Sequence, residues 1–362
     1  MRRRTYLATS LAVLAGCSEA TTTPDGSDTR TRTPTRTATH TASGTPSPAE
    51  SSTPEPTDTE TPVPTAETLY GTSLSPRSFE GREFVAFLER VGELGGALRW
   101  AGDWAELGDP EGGPETTAGL ADRYDLTPVI EVSLFDTATR ELHRPLSAET
   151  RERYRTDAAA FAERHAPPFL GLGIEVDFLA EFRPGAFDTY VDLFAETAAA
   201  VHEVSPDTAV YPGFQHEHLR GLHGGLFGGV NDPDTASWGL LDRFPDADCL
   251  GVTTYPGLVY PEPSDVPADH YGPLADRVDR PVAVSEVGWS SETVAEGWES
   301  DEAEQAAYLD RWVEQVAPLD LAFACYAWMY DPADAGLAFE GMGLRRPDGT
   351  AKPAWDVWVE RS

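Results

Sequence analysis

Lysine is almost absent from this sequence, because Lys352 is the only one among 362 residues. Lysine and arginine together number 27, against 61 aspartates and glutamates, so the formal net charge is −34 at pH 7. This excess of negative charge argues against nucleic acid as a partner, since phosphate backbones are bound by clusters of cations. It also destabilises the compact state through self-repulsion unless salt screens the charges.

Cysteine is scarce as well, with three residues in the chain. Cys249 and Cys325 each lie within an apolar, strand-like run, and neither has the neighbours that a zinc motif requires. We therefore expect two buried free thiols, although an exported protein could join them in a disulfide.

The N terminus lacks an apolar run long enough to span a bilayer, which takes roughly 20 residues. Its apolar residues 7–15 follow the cluster Arg2-Arg3-Arg4 and lead into the ending Leu-Ala-Gly-Cys17. This pattern is typical of a signal peptide over residues 1–17. The ending resembles a lipobox, which implies that Cys17 becomes the lipidated first residue of the mature protein, and the arginines are compatible with twin-arginine export. An ordinary signal peptide with an incidental cysteine is the alternative.

Two regions of different composition follow. Residues 18–68 are dominated by threonine, proline and serine and cannot bury enough surface to offset chain entropy, so they predict a disordered stalk. Residues 69–362 have one composition, without an internal linker, and contain all nine tryptophans. Their length suits a single (β/α)8 barrel, which takes about 250 residues plus insertions.

Short apolar runs alternate with helix-like periodicity throughout this second region. The predicted strands are 69–75, 97–100, 128–134, 169–175, 208–212, 249–255, 281–286 and 323–328. The predicted helices include 80–92, 148–165, 186–204 and 301–316. Strands that alternate with helices imply a parallel sheet, and eight such units predict an α/β fold closed into a TIM barrel.

Glutamates end two of these predicted strands, Glu175 the fourth and Glu286 the seventh. The separation is 286 − 175 = 111 residues, or three strand–helix units of about 37 residues each. Both side chains would project from the carboxyl-terminal rim, where barrel active sites lie. A single glutamate at a strand end could pair with an arginine for structural reasons. Two carboxyl groups that flank a sugar bond are what glycoside cleavage requires, one as proton donor and one as nucleophile or base.

This layout resembles clan A of the retaining glycoside hydrolases, which have the acid/base on strand four and the nucleophile on strand seven. The segment Val284-Ser-Glu-Val-Gly-Trp289 is similar to the nucleophile segment of endo-β-1,4-galactanases. The resemblance implies that Glu175 is the acid/base and Glu286 the nucleophile, without cofactor or metal. It further implies supporting roles for Arg99, Tyr255 and Trp328.

The sequence departs from the clan at Ile174, where an asparagine usually binds the sugar 2-hydroxyl. Asp177, two residues beyond Glu175, is a candidate substitute. The departure leaves two hypotheses open. One is an enzyme that hydrolyses β-linked glycans with retention, and the other is a catalytically silent sugar-binding lipoprotein that uses the same cleft.

Other residues near the predicted strand ends are further candidates for the site. Trp100 and Trp289 could stack on sugar rings, because aromatic faces do so. Glu131, on the third strand, could line the cleft or face an arginine in the barrel wall. His216 could contact sugar, whereas a metal held by His216, His218, Glu131 and Glu175 is a weaker alternative. No glycine-rich loop follows the last two strands, which disfavours a phosphosugar substrate.

The acidic composition and the lack of lysine resemble the proteins of halophilic archaea. Together with Cys17 they predict a monomer that is anchored by lipid to the outer face of the cell membrane and acts on a polysaccharide or oligosaccharide.

The charge of −34 predicts a salt-dependent fold. We expect the thermal unfolding midpoint to rise as KCl increases from about 0.1 M to several molar, because screening relieves the self-repulsion. Circular dichroism over a salt series measures this midpoint. An unchanged midpoint would mean that the acidic composition is not an adaptation to salt.

Overall fold

The computed structural model of this protein describes residues 68–333 and 335–362. The predicted signal peptide, Cys17 and the predicted stalk up to residue 67 lie outside the described residues. Within the described part, no helix combines the length and apolar composition needed to cross a bilayer.

The described residues form a TIM barrel of parallel strands, as the alternating pattern predicts. Its strands, named β1 to β8 in chain order, are Leu69–Ser73, Ala97–Asp103, Thr127–Ser133, Phe169–Gly171, the two-part β5 (Ala209–Tyr211 and Gly213–Gln215), Leu250–Thr254, Val282–Val287 and Leu321–Tyr326. Each pairs in parallel with the next, and β8 pairs with β1. A small antiparallel hairpin, Phe135–Asp136 with Glu141–Leu142, follows β3.

The barrel closes through β5, which Pro212 divides. Proline has no N–H to donate to a sheet, so the regular ladder is interrupted there. The first half, Ala209–Tyr211, pairs with β4, and the second half, Gly213–Gln215, pairs with β6. The Pro212 carbonyl still accepts a hydrogen bond from Gly251 N at 2.9 Å, so the ring of strands is continuous.

Helices surround most of the barrel. The α-helices α1 to α10 are Gly81–Glu93, Gly113–Tyr124, Ala148–His165, Val176–Phe182, Pro184–Val204, His216–Leu219, Gly272–Ala275, Glu302–Val316, Leu337–Glu340 and Pro353–Val359. The 3-10 helices are Trp104–Gly108, Gly225–Phe227, Pro233–Thr235, Trp238–Arg243, Pro256–Leu258 and Pro263–Asp265. The crossings from β5 to β6 and from β6 to β7 contain only short helices, so the rim there is built mainly of loops.

Alternation along the strands separates two apolar layers. On β2, Leu98 and Trp100 pack outward in the large core between strands and helices, whereas Ala97 faces the barrel interior. The interior floor consists of Ala97, Val129, Tyr211, Cys249, Ala283, Phe323 and Cys325. Both cysteines are buried free thiols, which agrees with the prediction. On β2 and β3, the residues two positions further along, Arg99 and Glu131, therefore point into the barrel above this floor.

Strand β4 is shorter than predicted, because it ends at Gly171 and not at residue 175. The Leu172 carbonyl accepts a hydrogen bond from Tyr154 Oη at 2.5 Å. A Cβ at Gly173 would lie 2.3 Å from Tyr190 Oη, so only glycine lets the backbone pass there. The chain then turns, and Glu175 takes the left-handed conformation, with φ 50° and ψ 47°, at the start of α4.

Lys352, the only lysine, is buried and ties the last helix to the barrel rim. Its Nζ donates to Asp331 Oδ1 at 2.5 Å, to Ser291 Oγ at 2.8 Å and to the Gly341 carbonyl at 3.0 Å. Burial raises the pKa of Asp331 and lowers that of Lys352, while their ion pair opposes both shifts. Each charge therefore depends on the other to remain in the interior.

Removing the lysine should destabilise the fold. We expect Lys352→Met to lower the free energy of unfolding by about 3–5 kcal/mol, because it leaves the Asp331 carboxylate buried without its cation. Replacing both residues, Asp331→Asn with Lys352→Met, should recover part of this loss. The exposed pair of Arg243 and Asp188 provides the control, since Arg243→Ala should cost less than about 1 kcal/mol. Denaturant titrations in molar salt measure all three, and a small loss in Lys352→Met would contradict a structural role.

Candidate active site

Glu286 points into the barrel because of a bulge in β7. Val282 and Val284 pack outward, so strict alternation would send Glu286 outward too. The register shifts between them, since Val284 pairs with Val252 but Glu286 pairs with Thr253, the very next residue of β6. The extra residue reverses the alternation and turns the glutamate inward, a role that bulges often serve beside functional sites.

The Glu286 carboxylate is held by two side chains from other strands. Arg99 Nη1, from β2, donates to its Oε1 at 2.7 Å, and the Tyr255 hydroxyl, just beyond β6, donates to Oε2. Arg99 Nη1 also donates to Ser73 Oγ at 2.9 Å. The contacts predicted for Arg99 and Tyr255 are therefore present in the structure. They fix the orientation of this carboxyl group and place a guanidinium beside it.

Glu131 lies in the barrel wall and faces the arginine. It pairs with Arg99 Nε through one oxygen, and its other oxygen accepts from Tyr211 Oη at 3.0 Å. Of the two positions considered for Glu131, the structure shows the one that faces an arginine. Burial lowers the pKa of Arg99, but the carboxylates of Glu131 and Glu286 outweigh this effect and raise the pKa above its ordinary value. The guanidinium thus remains charged between two carboxylates.

Glu175 has very different surroundings. It is fully buried, its Oε1 accepts from Thr253 Oγ1 at 2.8 Å, and its Oε2 has no hydrogen-bond partner among the described residues. Burial, and next the negative charge of Glu286, raise the pKa of Glu175 to about 8. This carboxyl group is therefore protonated at neutral pH, whereas Glu286 faces a cation.

Strand β6 connects the two glutamates. Thr253 is the register partner of Glu286 and donates to Glu175, while Tyr255, two residues on, reaches Glu286. Alternation places Thr253 and Tyr255 on the same face of the strand. Thr253 was not predicted as a site residue, although its spacing from Tyr255 is a signal that would have identified it.

Trp328 adds an aromatic surface next to Tyr255. The two rings are stacked with centroids 6.4 Å apart, and Phe339, another residue that the sequence did not indicate, packs against both. Trp328 also lines a cleft of about 290 Å³, together with Leu74, Phe79 and Tyr330 among others. The structure thus places Trp328 against Tyr255, the residue that contacts Glu286, whereas the residues that line this cleft include neither Glu175 nor Glu286.

The structure does not bring Trp100 and Trp289 to the carboxyl groups. Trp100 follows the inward-facing Arg99 and therefore points outward, where a Cβ at Gly113 would lie 2.0 Å from its Nε1. Trp289 stacks on Tyr308 of α8, with ring centroids 4.8 Å apart. Both indoles pack between the barrel and the helices, because alternation directs them to the outer layer.

Asp177 and His216 are also engaged within the protein. Asp177 accepts from Gln215 N at 2.9 Å and pairs with His218 Nδ1 at 2.6 Å. His216 is fully buried, its Nε2 contacts the His270 carbonyl at 3.1 Å, and burial lowers its pKa to about 3. Both side chains are buried, and the polar contacts described here are to other residues of the protein.

The histidines of this segment do not converge with Glu131 and Glu175. His218 Nε2 contacts Glu181 at 2.7 Å, and the carboxylates of Asp177 and Glu181 raise the pKa of His218 to about 9 despite the opposing effect of burial. Among the described residues, no group of three or more His, Cys, Asp or Glu side chains is arranged to hold a metal ion.

Comparisons with known proteins find this fold in solved structures of glycoside hydrolases. No protein-family model matches the sequence, and no curated protein matches it. Solved structures do match. A family 5, subfamily 18 glycoside hydrolase of Streptomyces cattleya, solved with Manβ1-4GlcNAc, has a TM-score of 0.61 at 17% identity, over 82% of this chain and 80% of that one. The family 53 catalytic domain of Ignisphaera aggregans has a TM-score of 0.56 at 14% identity, over 82% and 98%.

A family 39 glycoside hydrolase of Bacteroides cellulosilyticus is similar too, with a TM-score of 0.55 at 17% identity, over 80% of this chain. This chain spans only 62% of that protein, and 59% of an exo-β-1,4-mannosidase from an Opitutaceae bacterium. These neighbours are TIM-barrel hydrolases of clan A, and at such low identity they establish the fold that this chain shares with them.

The raised pKa of Glu175 predicts how stability depends on pH. The folded carboxyl keeps its proton up to about pH 8, whereas the unfolded one loses it near its ordinary value of 4.5. The stabilisation from this group is therefore complete below about pH 4.5 and is lost as the pH rises to 8. Because Gln does not titrate, the free energy of unfolding of Glu175→Gln should exceed that of the wild type by a margin that grows over this range.

Denaturant unfolding at several pH values measures that margin. Glu115→Gln is the control, because His165 lowers the pKa of Glu115 and its removal should bring no such gain. A margin that stays constant with pH would contradict the protonated state of Glu175.

Proposed function

We propose that this protein is a retaining glycosidase that cleaves β-linked glycans. The observation that carries the proposal is a pair of buried glutamates with opposite surroundings, one in contact with Thr253 of β6 and the other with Tyr255 just beyond that strand. Glu286 is paired with the Arg99 guanidinium and accepts from the Tyr255 hydroxyl, whereas Glu175, with a pKa of about 8, keeps its proton at neutral pH. Two carboxyl groups whose environments push their protonation states apart are what acid and nucleophile roles require.

Each glutamate has a defined part in the proposed reaction. The Glu286 carboxylate attacks the anomeric carbon while Glu175 donates its proton to the leaving oxygen, which breaks the glycosidic bond and forms a glycosyl-enzyme ester. Glu175, now an anion, accepts a proton from water as that water attacks the anomeric carbon. The ester bond to Glu286 then breaks, and both carboxyl groups return to their starting states.

The supporting residues act on Glu286 and on the sugar. Arg99 and Tyr255 orient the attacking oxygens and stabilise the carboxylate when it leaves. The ring of Trp328 offers a stacking face for the sugar at the cleavage point. A protein similar in fold was solved with a β1-4-linked disaccharide, and another acts as a β-1,4-mannosidase, which supports a β-linked substrate here.

A silent sugar-binding protein is the second candidate, and Ile174 is the observation that favours it. This apolar side chain is partly exposed beside Glu175, where it offers no hydrogen bond to a sugar hydroxyl. In that case the protein would bind glycans in the same cleft but cleave none.

We further propose that the barrel works outside the cell, as a monomer, under the high salt that its charge of −34 favours. The lipobox-like ending at Cys17 supports a lipid anchor on the outer face of the membrane. Mass spectrometry of the membrane fraction, with Cys17→Ala as the control, tests for the lipid.

The proposed activity is tested with β-galactan, β-mannan, β-glucan and xylan in molar salt. Proton NMR of the first product should show the β-anomer, since a double displacement retains configuration. An initial α-anomer would replace the proposal by an inverting mechanism. Binding without cleavage of any glycan would favour the silent candidate.

Variants of the two glutamates should fail in different ways. With an aryl glycoside, whose leaving group needs little protonation, Glu175→Ala should form the glycosyl-enzyme and then stall, with turnover reduced roughly 10²- to 10⁴-fold. Azide needs no base, so it should restore turnover and give the β-glycosyl azide. Added to Glu286→Ala, azide should enter from the vacated face and give the α-azide.

Product NMR and steady-state rates distinguish these outcomes. The exposed Asp188 serves as the control, because Asp188→Ala should keep wild-type rates with or without azide. Wild-type rates in both glutamate variants would place the site elsewhere.

A further inference from the structure

Glu217 is a fully buried carboxylate on α6 that the proposed reaction does not use. Four hydrogen-bond donors surround its two oxygens. Oε1 accepts from Thr254 Oγ1 at 2.7 Å and from His270 Nε2 at 3.0 Å. Oε2 accepts from Tyr255 N at 3.0 Å and from Gln215 Nε2 at 2.6 Å.

The contact with Tyr255 lies where the sheet ends. Strand β6 stops at Thr254, so the Tyr255 N–H is the first amide beyond the regular ladder, and Pro256 follows it. A buried amide without an acceptor would be costly. Glu217 supplies that acceptor and also binds the preceding hydroxyl, so it fixes two consecutive residues at the end of the strand.

The neighbours of Glu217 keep it ionised. Arg220 Nη1 donates to His270 Nδ1 at 2.9 Å, so the neutral His270 ring carries its proton on Nε2 and donates it to Glu217. Burial lowers the pKa of His270, which keeps that ring neutral. Burial raises the pKa of Glu217, but hydrogen bonds from His270 and from the Tyr255 amide outweigh this effect and lower the pKa to about 2.

We infer that Glu217 is a positioning residue for the proposed nucleophile and acts through Tyr255. It holds the backbone at residues 254–255, and this backbone sets where the Tyr255 hydroxyl meets Glu286. The inference rests on the proposed function only for its effect on rate. The position of the tyrosine can be tested without turnover.

Glutamine cannot reproduce this set of contacts. A glutamine amide has two orientations here. In one, its NH₂ group faces the Tyr255 N–H and the Gln215 amide; in the other, it faces the Thr254 hydroxyl and the His270 N–H. Thr254 could turn its hydroxyl and accept, but the other partners are donors in the arrangement observed. Glu217→Gln therefore keeps the shape of the side chain but sets its NH₂ group against other hydrogen-bond donors. The substitution should displace the end of strand β6 without leaving a cavity.

The test combines crystal structures with a double-mutant cycle. In Glu217→Gln, the Tyr255 hydroxyl should lie beyond hydrogen-bond distance, about 3.2 Å, from Glu286. On an aryl glycoside, kcat/KM should fall roughly ten- to a hundredfold, with most of the change in kcat. In a Tyr255→Phe background, the same substitution should cost about threefold or less, because the contact through which it acts is already gone.

The pH profile provides a readout that simple loss of packing would not change. The groups that face Glu286 are Arg99, Tyr255, Glu175 and Cys325. Of these four groups, Glu217→Gln should displace only Tyr255. Glu286 then loses a hydrogen-bond donor, so the acidic limb of the kcat/KM profile should move to higher pH, as it should in Tyr255→Phe. Glu115→Gln breaks a partly exposed glutamate–histidine contact on α2, away from Tyr255, and should change neither the limb nor the position of the tyrosine.

The outcomes separate the two proposals. The inference would be overturned if the Tyr255 hydroxyl stayed within hydrogen-bond distance of Glu286 in Glu217→Gln. It would also be overturned if Glu217→Gln lowered kcat/KM by the same factor in the wild type and in Tyr255→Phe. If the wild type hydrolyses no glycoside, the proposed function fails while the crystal structures still decide the role of Glu217. If Glu217→Gln does not fold, Thr254→Val removes one of the four donors and should shift Tyr255 in the same direction by less.

Discussion

The buried guanidinium of Arg99 is the constraint on which the centre of the barrel depends. An unpaired charge in a low-dielectric interior is strongly unfavourable, so the strands beside and across from β2 must supply compensation. Glu131 supplies it from β3 and Glu286 from β7, while Ser73 accepts a further hydrogen bond. These contacts fix the orientation of the Glu286 carboxyl group beside a cation, and the proposed reaction would use this preorganised arrangement.

The same charge distribution explains why the two glutamates differ. Glu175 accepts a hydrogen bond from the Thr253 hydroxyl and lies within the field of the Glu286 carboxyl group, whose effect on its pKa is larger than the opposing effect of His218. Burial and that field both favour its neutral form. A single arrangement of side chains on and just beyond β2, β4, β6 and β7 thus places one carboxyl group beside a guanidinium and keeps the other protonated. Their difference comes from surroundings, since the two side chains are chemically identical.

Much of this could be predicted from local pattern. Apolar runs that alternate with helical periodicity identified the eight strands, and glutamates at the ends of two of them identified Glu175 and Glu286. The family resemblance added Arg99, Tyr255 and Trp328, which the structure brings to the same rim. Strand order in a closed parallel barrel follows chain order, so residues at corresponding strand ends are expected to lie at the same rim. Side chains alternate along a strand, so the residue after the inward-facing Arg99 should face the helices. Strict use of this rule would have predicted that Trp100 lies outside the barrel.

The sequence by itself therefore determined the barrel, its acidic charge and the two glutamates, each of which depends on composition or on local periodicity. Only the tertiary structure decided the bulge that turns Glu286 inward, because the pairing of β7 with its neighbours sets that register. It also decided that β4 ends before Glu175, where Tyr190 restricts the backbone, and that Glu217 joins residues far apart in the chain. These features arise from long-range packing and from the need to satisfy buried polar groups, neither of which a local window of sequence contains.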